Sequence, residues 1–473
     1  MAALAESIVE LHERGKVVCI DALGGASAGS IVALLFSRGA LAGGDIADLL
    51  RRAWVDEVDV DQLRGDRRDA PLGTARLREA LVEYLCEDVN GREPLLDDIG
   101  LHVGLTNLLG LTYPVTTDGS EARALSFADW AQFELSAEAG AEQFVDPTGT
   151  SPLDYCLASA SHPGAFAPRL IDRSADRDGY LANDVDNFPD SGSFWFTDGG
   201  LVESKPVGRV ISLSRRRAGT AAGRRMHLVV DPRSSGPSGD RSWSDPDVAV
   251  SWIDGLRRSM SIMPTQALHD DLREVATRNE RLELVEELVG ELSDHLDEEG
   301  VRRLRTIVTE RRGDEGADGR DAADLLRSAL SRTAGVEGME RVDVEMISPL
   351  EIASEREEGV SDLLAGDFVG AFGGFLDRRL RASDFTLGWN SVREWLPGGL
   401  QRHGVSESTI GTIDQRLDDH PFDADMDRGT VDGDGPSTLS FGDRARLGRL
   451  GGRVARIIVT ESVGSGRSNG ASQ

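Results

Sequence analysis

Lys16-Val17-Val18-Cys19-Ile20-Asp21-Ala22-Leu23-Gly24-Gly25-Ala26-Ser27-Ala28-Gly29-Ser30-Ile31-Val32-Ala33-Leu34-Leu35-Phe36-Ser37-Arg38 is the stretch that decides the reading of this chain. An apolar run, Lys16 to Leu23, predicts a strand, and Ser30 to Arg38 predicts a helix. Between them Gly25-Ala26-Ser27-Ala28-Gly29 spells G-x-S-x-G, the pattern of a nucleophile elbow. A strand-to-helix turn of this kind is expected to be too tight for a side chain at either glycine, so the serine at its apex is pushed outward with its hydroxyl exposed. Ala28 then opens the helix, and its N–H and the positive end of the helix dipole point to where an oxyanion would form beside Ser27. In a chain with 54 glycines, the competing reading is a glycine-rich turn carrying an ordinary hydroxyl.

A second element bears on the choice. Phe194-Trp195-Phe196-Thr197 predicts a short buried strand that runs into Asp198-Gly199-Gly200. An aspartate at a strand end, followed by two glycines that let the backbone turn away, is placed to face a cleft; the alternative is an Asp-Gly-Gly hairpin turn. Between the two lies Ala158-Ser159-Ala160-Ser161-His162-Pro163-Gly164-Ala165-Phe166-Ala167-Pro168, a small-residue helix end that breaks at Pro163.

These three segments, in this order, resemble the patatin-like phospholipase family: an elbow serine, then A-S-A-x-x-P-G-x-F-x-P, then a D-G-G aspartate. A later stretch, Leu364-Ala365-Gly366-Asp367-Phe368 through Gly373-Gly374-Phe375-Leu376 to Asp384-Phe385-Thr386-Leu387-Gly388, is similar to the C-terminal part of long bacterial patatin-like proteins. The resemblance runs in patches from Met1 to about Leu396 and is strongest between Asp21 and Pro206. It implies a patatin-like layered α/β sheet with flanking helices and a mostly helical C-terminal region. It also implies a Ser–Asp dyad that cleaves carboxylic esters of phospholipids or acylglycerols through an acyl-enzyme, with Ser27 as nucleophile, Asp198 as general base, the Ala28 N–H at the oxyanion, and neither cofactor nor metal. Family members carry a G-G-G-x-[RK] loop ahead of the first helix. This chain begins inside what reads as that helix, so the first strand and its loop are expected to be missing, either through a late start or through real loss. Real loss would suit a catalytically impaired lipid-binding or scaffold protein. A smaller departure is Lys205 before Pro206, where asparagine is commoner.

The dyad has its own chemical logic. A carboxylate with a pKa near 4 is a poor base for a hydroxyl at neutral pH, and burial improves it by raising that pKa. Phe194, Trp195 and Phe196 ahead of Asp198 suit such burial, though alternation along a strand lets only some of them face the site. The rival is a Ser–Asp–His triad with His227, the histidine that follows Asp198 near a plausible strand; His227 there reads more readily as a packed side chain. His162 precedes Asp198, the wrong order for that triad, and the other six histidines lack ligand spacing.

Asp and Glu number 82 against 52 Lys and Arg, a net charge of −30, and lysine occurs only at Lys16 and Lys205. Such a surface suits a protein kept soluble in concentrated salt, where repulsion is screened within a few ångströms; a GC-rich genome accounts for the arginine bias alone. Unfolding at low salt distinguishes the two. The acidity excludes a phosphate-binding stripe, so nucleic acid is not an expected partner, and contact with an anionic membrane would have to rest on apolar surface. The expected partner is a lipid ester substrate, with peripheral membrane contact, and no oligomeric state is read from the sequence. Cys19, Cys86 and Cys156 show no metal spacing; two sit in apolar contexts typical of buried thiols, which suits a reducing compartment. With no span-length apolar run, the expectation is a cytoplasmic protein that meets a membrane at its surface.

The length allows two or three domains. Residues 1–232 read as the catalytic α/β domain. Residues 233–320 read as a Ser/Gly/Pro/Asp linker (Arg233 to Asp247) and a solvated helical hairpin, with helices from Val248 to Arg258 and from Thr265 to Val289 continuing toward Arg312, before a flexible break at Gly313 to Arg320. Residues 321–400 read as a strand–helix region on the core, including a Phe368, Phe372, Phe375 face at helical spacing. That face is either an ordinary core face or one that covers an acyl pocket or touches lipid. Residues 401–473 read as a loop-rich tail with one helix near Arg444 to Ile458 and a disordered end.

Overall fold

Why the elbow and the aspartate meet is decided by strand direction. In the computed structural model the described residues are 1–15, 18–63, 70–88, 93–117, 120–218, 225–232, 252–312, 320–355, 360–365, 373–420, 443–449 and 452. The α-helices and β-strands of the first 218 residues are α1 (Ala2–Glu13), β1 (Ala22–Gly25), α2 (Ala28–Ala42), α3 (Ile46–Arg51), α4 (Ala75–Cys86), β2 (Asp98–Thr117), β3 (Ser120–Ser136), α5 (Pro152–Ser159), β4 (Arg169–Asp172), α6 (Arg177–Ala182), β5 (Ser193–Thr197) and α7 (Val207–Ala218). They build a five-stranded mixed sheet in the order β1-β2-β5-β4, with β3 also on β2. β1 runs parallel to β2, whereas β3 and β5 are antiparallel to it and β4 is antiparallel to β5.

The register fixes the site. β1 pairs with β2 up to Gly25 opposite Val103, while β5 approaches from the other direction and ends with Thr197 opposite Thr106. The carboxyl ends of β1 and β5 thus point at each other along one edge of β2, separated by Gly104 and Leu105. Ser27 leaves the first end and Asp198 the second.

Helices cover the sheet for reasons visible in their sequences. α2 is apolar nearly all round, Ile31-Val32-Ala33-Leu34-Leu35-Phe36, and is buried accordingly. It stops at Gly43, whose left-handed φ of 71° closes the last turn. α5 starts from a capping box between Ser151 and Asp154 with Pro152 at the first position, and every one of its residues is buried. It packs on α2 and on β2, so the small Ala158 and Ser159 lie directly behind the elbow.

Two units divide the chain. The first comprises Met1–Ala221, Val229–Leu268 and Met346–Gln473, the second Ala222–Leu228 and His269–Glu345. The remaining elements are β6 (Met226–Val230), α8 (Trp252–Ser293), α9 (Glu298–Arg312), α10 (Ala322–Thr333), β7 (Asp343–Ile347), α11 (Leu350–Glu355), α12 (Val360–Leu363), α13 (Arg378–Arg402) and α14 (Glu407–Asp418). β6 and β7 form a separate two-stranded sheet. Within the second unit, Val285 and Val289 pack with Val336, Val308 packs with Leu325, and Arg327 pairs with Glu286 at 2.8 Å. In the first, Arg416 of α14 meets Glu6, Glu10 and Glu13 of α1 at 2.8–3.0 Å.

Several expectations shift. β1 is four residues long and starts at Ala22, so Cys19 is exposed; of the three free thiols, Cys156 alone is buried. β2 and β3 form a long hairpin whose pairing shifts register between Thr106 and Leu111. One continuous helix, α8, replaces two. α14 lies in the stretch read as loops; its Ile410, Ile413 and Leu417 form a short buried stripe at helical spacing. The linker at 233–247, the break at 313–319, Phe368 and Phe372, most of the helix expected at 444–458, and the end of the tail lie outside the described residues.

Candidate active site

Ser27 sits at φ 54°, ψ −134°, a left-handed conformation for a residue with a Cβ. Such strain costs about 1–3 kcal/mol and persists only where the surroundings impose it. They do so here by four hydrogen bonds. The Ser27 N–H donates to Ser159 Oγ at 2.8 Å, and that hydroxyl donates onward to the Gly104 carbonyl at 2.6 Å. The Ser30 hydroxyl donates to the Ser27 carbonyl at 2.7 Å. The Ser27 hydroxyl itself donates to Asp198 Oδ2 at 2.6 Å.

The two elbow glycines are not equivalent. A Cβ at Gly25 would lie 2.5–2.8 Å from the backbone of Gly29 and Ser30, so the turn excludes any side chain there. A Cβ at Gly29 would meet nothing within 4 Å. The expectation that both positions are sterically closed is therefore corrected: Gly29 lies on the exposed side of the first turn of α2, and the close approach falls on Gly25.

Asp198 is held differently. Only 3% of it is exposed. Its N–H donates to the Ser161 carbonyl at 3.1 Å, its carbonyl accepts from Thr106 Oγ1 at 2.7 Å, and its second carboxylate oxygen, Oδ1, accepts from the Gly200 N–H at 2.7 Å. Thr197 Oγ1 donates to the same Ser161 carbonyl at 2.8 Å. Both following glycines are needed by proximity: a Cβ at Gly199 would strike the Gly104 carbonyl, and one at Gly200 would lie 2.9 Å from Asp198 Oδ1. Burial pushes the Asp198 carboxyl above its ordinary value, against the opposing pull of the Ser27 and Gly200 hydrogen bonds and the charge of His162.

Ser27 meets Asp198 directly, with no imidazole between them, and the histidine whose charge acts on Asp198 is His162 rather than His227. Of the aromatic run before Asp198, Phe194 and Phe196 are buried and Trp195 is 51% exposed, as alternation requires. Lys205 pairs with the buried Asp231 at 3.0 Å. Ala28, first residue of α2, is exposed beside Ser27. The sequence reading did not assign Ser159, Ser161, Thr106 and Gly104, which fasten the two turns; the alternating small residues after Leu157 were the available signal for the first two. Among the described residues no cluster of His, Cys, Asp and Glu fits a metal ion, and no helix is long and apolar enough to cross a membrane.

Comparison with known proteins bears on the same residues. The patatin-like phospholipase family matches residues 1–211, which contain both Ser27 and Asp198. An uncharacterized membrane protein of Mycobacterium tuberculosis is 26% identical over 308 residues, covering 56% of this chain and 26% of that protein, so the chain spans about a quarter of the relative's length. No solved structure matches. Residues 1–211 of this chain therefore form a patatin-like phospholipase domain, and the chain is a distant homologue of the mycobacterial protein.

Proposed function

We propose that the protein is a lipid acyl hydrolase in which Ser27 and Asp198 act as a catalytic dyad on carboxylic esters of phospholipids or acylglycerols. The observation that carries this reading is the 2.6 Å hydrogen bond from the Ser27 hydroxyl to a carboxylate that is almost wholly buried. Ser27 Oγ attacks the ester carbonyl carbon while its proton passes to Asp198 Oδ2. Collapse of the tetrahedral adduct breaks the bond to the alcohol, which leaves with that proton, and the acyl group stays on Ser27. Water then gives a proton to Asp198 as its oxygen attacks the acyl carbon; collapse of this second adduct breaks the bond to Ser27 Oγ, which takes that proton back from Asp198, and the acid departs. The Ala28 N–H and the start of α2 lie on the side where negative charge develops on the carbonyl oxygen. Catalysis takes place where the domain meets a lipid surface.

A second reading is a domain that binds lipid with little turnover, the outcome if too few donors meet the oxyanion, since each contributes about 2.7–4 kcal/mol of transition-state stabilisation. Acyl release from p-nitrophenyl esters and a mixed phospholipid, by the protein and by Ser27→Ala, tests both. Release that depends on Ser27 supports the hydrolase; none from folded protein supports the binding protein.

A further inference from the structure

Beyond Thr106, whose hydroxyl holds the Asp198 carbonyl, β2 and β3 leave the rest of the sheet. β5 pairs with β2 at Thr106 and Asn107. Past that point the two strands continue as a ribbon, from Leu111 opposite Ser126 to Thr117 opposite Ser120, and among the described residues no third strand pairs with it. The root of the ribbon is clipped. The Thr112 N–H donates to Asn187 Oδ1 at 2.9 Å, and Asn187 Nδ2 donates to the Gly110 carbonyl at 2.9 Å. A Cβ at Gly110 would lie 2.9 Å from the Phe127 ring and 3.0 Å from the Leu125 side chain, so this glycine lets both lie across β2.

A two-stranded ribbon is marginal in water, and this one presents apolar surface to it. Leu108, Leu109, Val115, Leu125 and Phe127 are 41–56% exposed. Ala122, Arg123, Ala124 and Leu125 are exposed in succession; consecutive side chains of a strand point to opposite faces, so both faces are open. By register Leu125 and Phe127 share one face, and Val115 shares the other with Ala122 and Ala124. Asn107 to Thr117 holds no charged residue, and Ala122 to Ala128 holds only Arg123, which is paired with Asp186. In a chain of net charge −30 this is a neutral strip.

Those features select the occupant. A protein groove covers one face of a ribbon, whereas lipid closes on both. A second copy would bring another −30 against the first, and an anionic bilayer is repelled in the same way. A zwitterionic headgroup layer meets neither objection and takes up aromatic and aliphatic side chains at its own depth. The open edges of the ribbon go no deeper, because unpaired backbone groups need water. Asp118 and Glu121 stand at the turn, so contact runs along the ribbon and not through its tip.

We propose that the β2–β3 ribbon docks the protein on a zwitterionic phospholipid surface, with Leu125 and Phe127 on one face and Val115 on the other entering the headgroup layer. That this lipid is also the substrate rests on the hydrolase reading; the docking does not.

Flotation with vesicles of dioleoylphosphatidylcholine, using the full chain carrying Ser27→Ala so that no lipid is consumed, tests the proposal. The protein is expected to float with the vesicles. Leu125→Glu together with Phe127→Glu should lower its partition coefficient about tenfold, and Val115→Glu on the opposite face about threefold. With Ser27 intact, the same variants should cleave p-nitrophenyl butyrate as the parent does. Absence of flotation, or flotation unchanged by these substitutions, overturns the docking surface. So does sensitivity to one face alone, or a doubled mass by light scattering that the substitutions abolish, since either assigns the ribbon to a protein partner. A chain that floats as expected but cleaves no ester keeps the docking surface and removes the hydrolase; one that cleaves butyrate through Ser27 but does not float does the reverse. Should the double variant fail to fold, Leu125→Gln decides alone, with an expected loss of about threefold.

Discussion

Ser27 and Asp198 touch, yet the two turns that present them are opposite in construction. The serine turn is strained and open: a left-handed φ of 54°, an exposed Ala28 beside it, and a single glycine, Gly25, on which the close approach falls. The aspartate turn is buried and crowded, with its peptide groups bound to Ser161 and Thr106 and two glycines wedged against Gly104 and its own carboxylate. In the proposed roles, Ser27 as nucleophile must reach substrate, so its cost is carried by the backbone, and Asp198 as base must be more basic than a solvated carboxylate, so its cost is carried by desolvation. β2 joins the two, since Gly104 accepts the Ser159 hydroxyl that holds Ser27 and lies against Gly199.

The largest effects come from removing either partner. Ser27→Ala and Asp198→Asn are each expected to lower kcat for ester cleavage by about 10⁴-fold, measured by acyl release on protein whose circular dichroism is unchanged. The two should differ in stability. The Asp198 carboxyl is raised above 3.8 in the folded state. As pH climbs past 3.8 the unfolded chain releases this proton and the folded chain keeps it, so the group's favourable contribution, complete below 3.8, is lost by the time pH passes the folded value. Asp198→Asn should therefore melt higher than the parent at pH 7, with the gap closing below about pH 4, whereas Ser27→Ala should show no such pH dependence. Activity should rise with pH through the same raised carboxyl pKa, visible in a profile of kcat/KM.

Next come the glycines. Gly25→Ala and Gly199→Ala force a side chain into backbone and are each expected to cost about 1–3 kcal/mol of stability, read from urea melts, with most activity lost. Ser159→Ala leaves the buried Gly104 carbonyl and the Ser27 N–H without their shared hydroxyl, an expected loss of about 1–3 kcal/mol. It should strike the serine turn first, lowering kcat more than it raises KM. Gly29→Ala is the smallest: open space and a helical backbone predict a gain of about 0.5–1 kcal/mol.

Much of this comparison is legible in the sequence. The elbow reads from Gly25 and Ser27 between a strand and a helix, and Asp198 from the aromatic run ahead of it, because both are local patterns in which composition and backbone demand coincide. The fastening is not. Ser159, Thr106 and Gly104 matter through contacts 55 to 132 positions apart in the chain, and nothing in a tripeptide reports its distant partner. Strand direction was hidden for the same reason: periodicity marks β2 and β5 as strands but says nothing of their antiparallel pairing, and it is this pairing that brings two strand ends face to face. α14 shows the reverse case, a local stripe of Ile410, Ile413 and Leu417 that is plain once sought but sits beside Gly- and Asp-rich sequence that reads as loop.

The most direct test of the dyad is covalent. An alkyl fluorophosphonate reacts at an activated serine, and the modified residue is identified by peptide mass spectrometry in the parent, in Asp198→Asn and in Gly25→Ala. Stoichiometric labelling of the peptide bearing Ser27, abolished in both variants, is the result expected if the buried carboxylate and the strained turn together activate this hydroxyl. Labelling at another serine, or labelling of Ser27 that persists in Asp198→Asn, would contradict it.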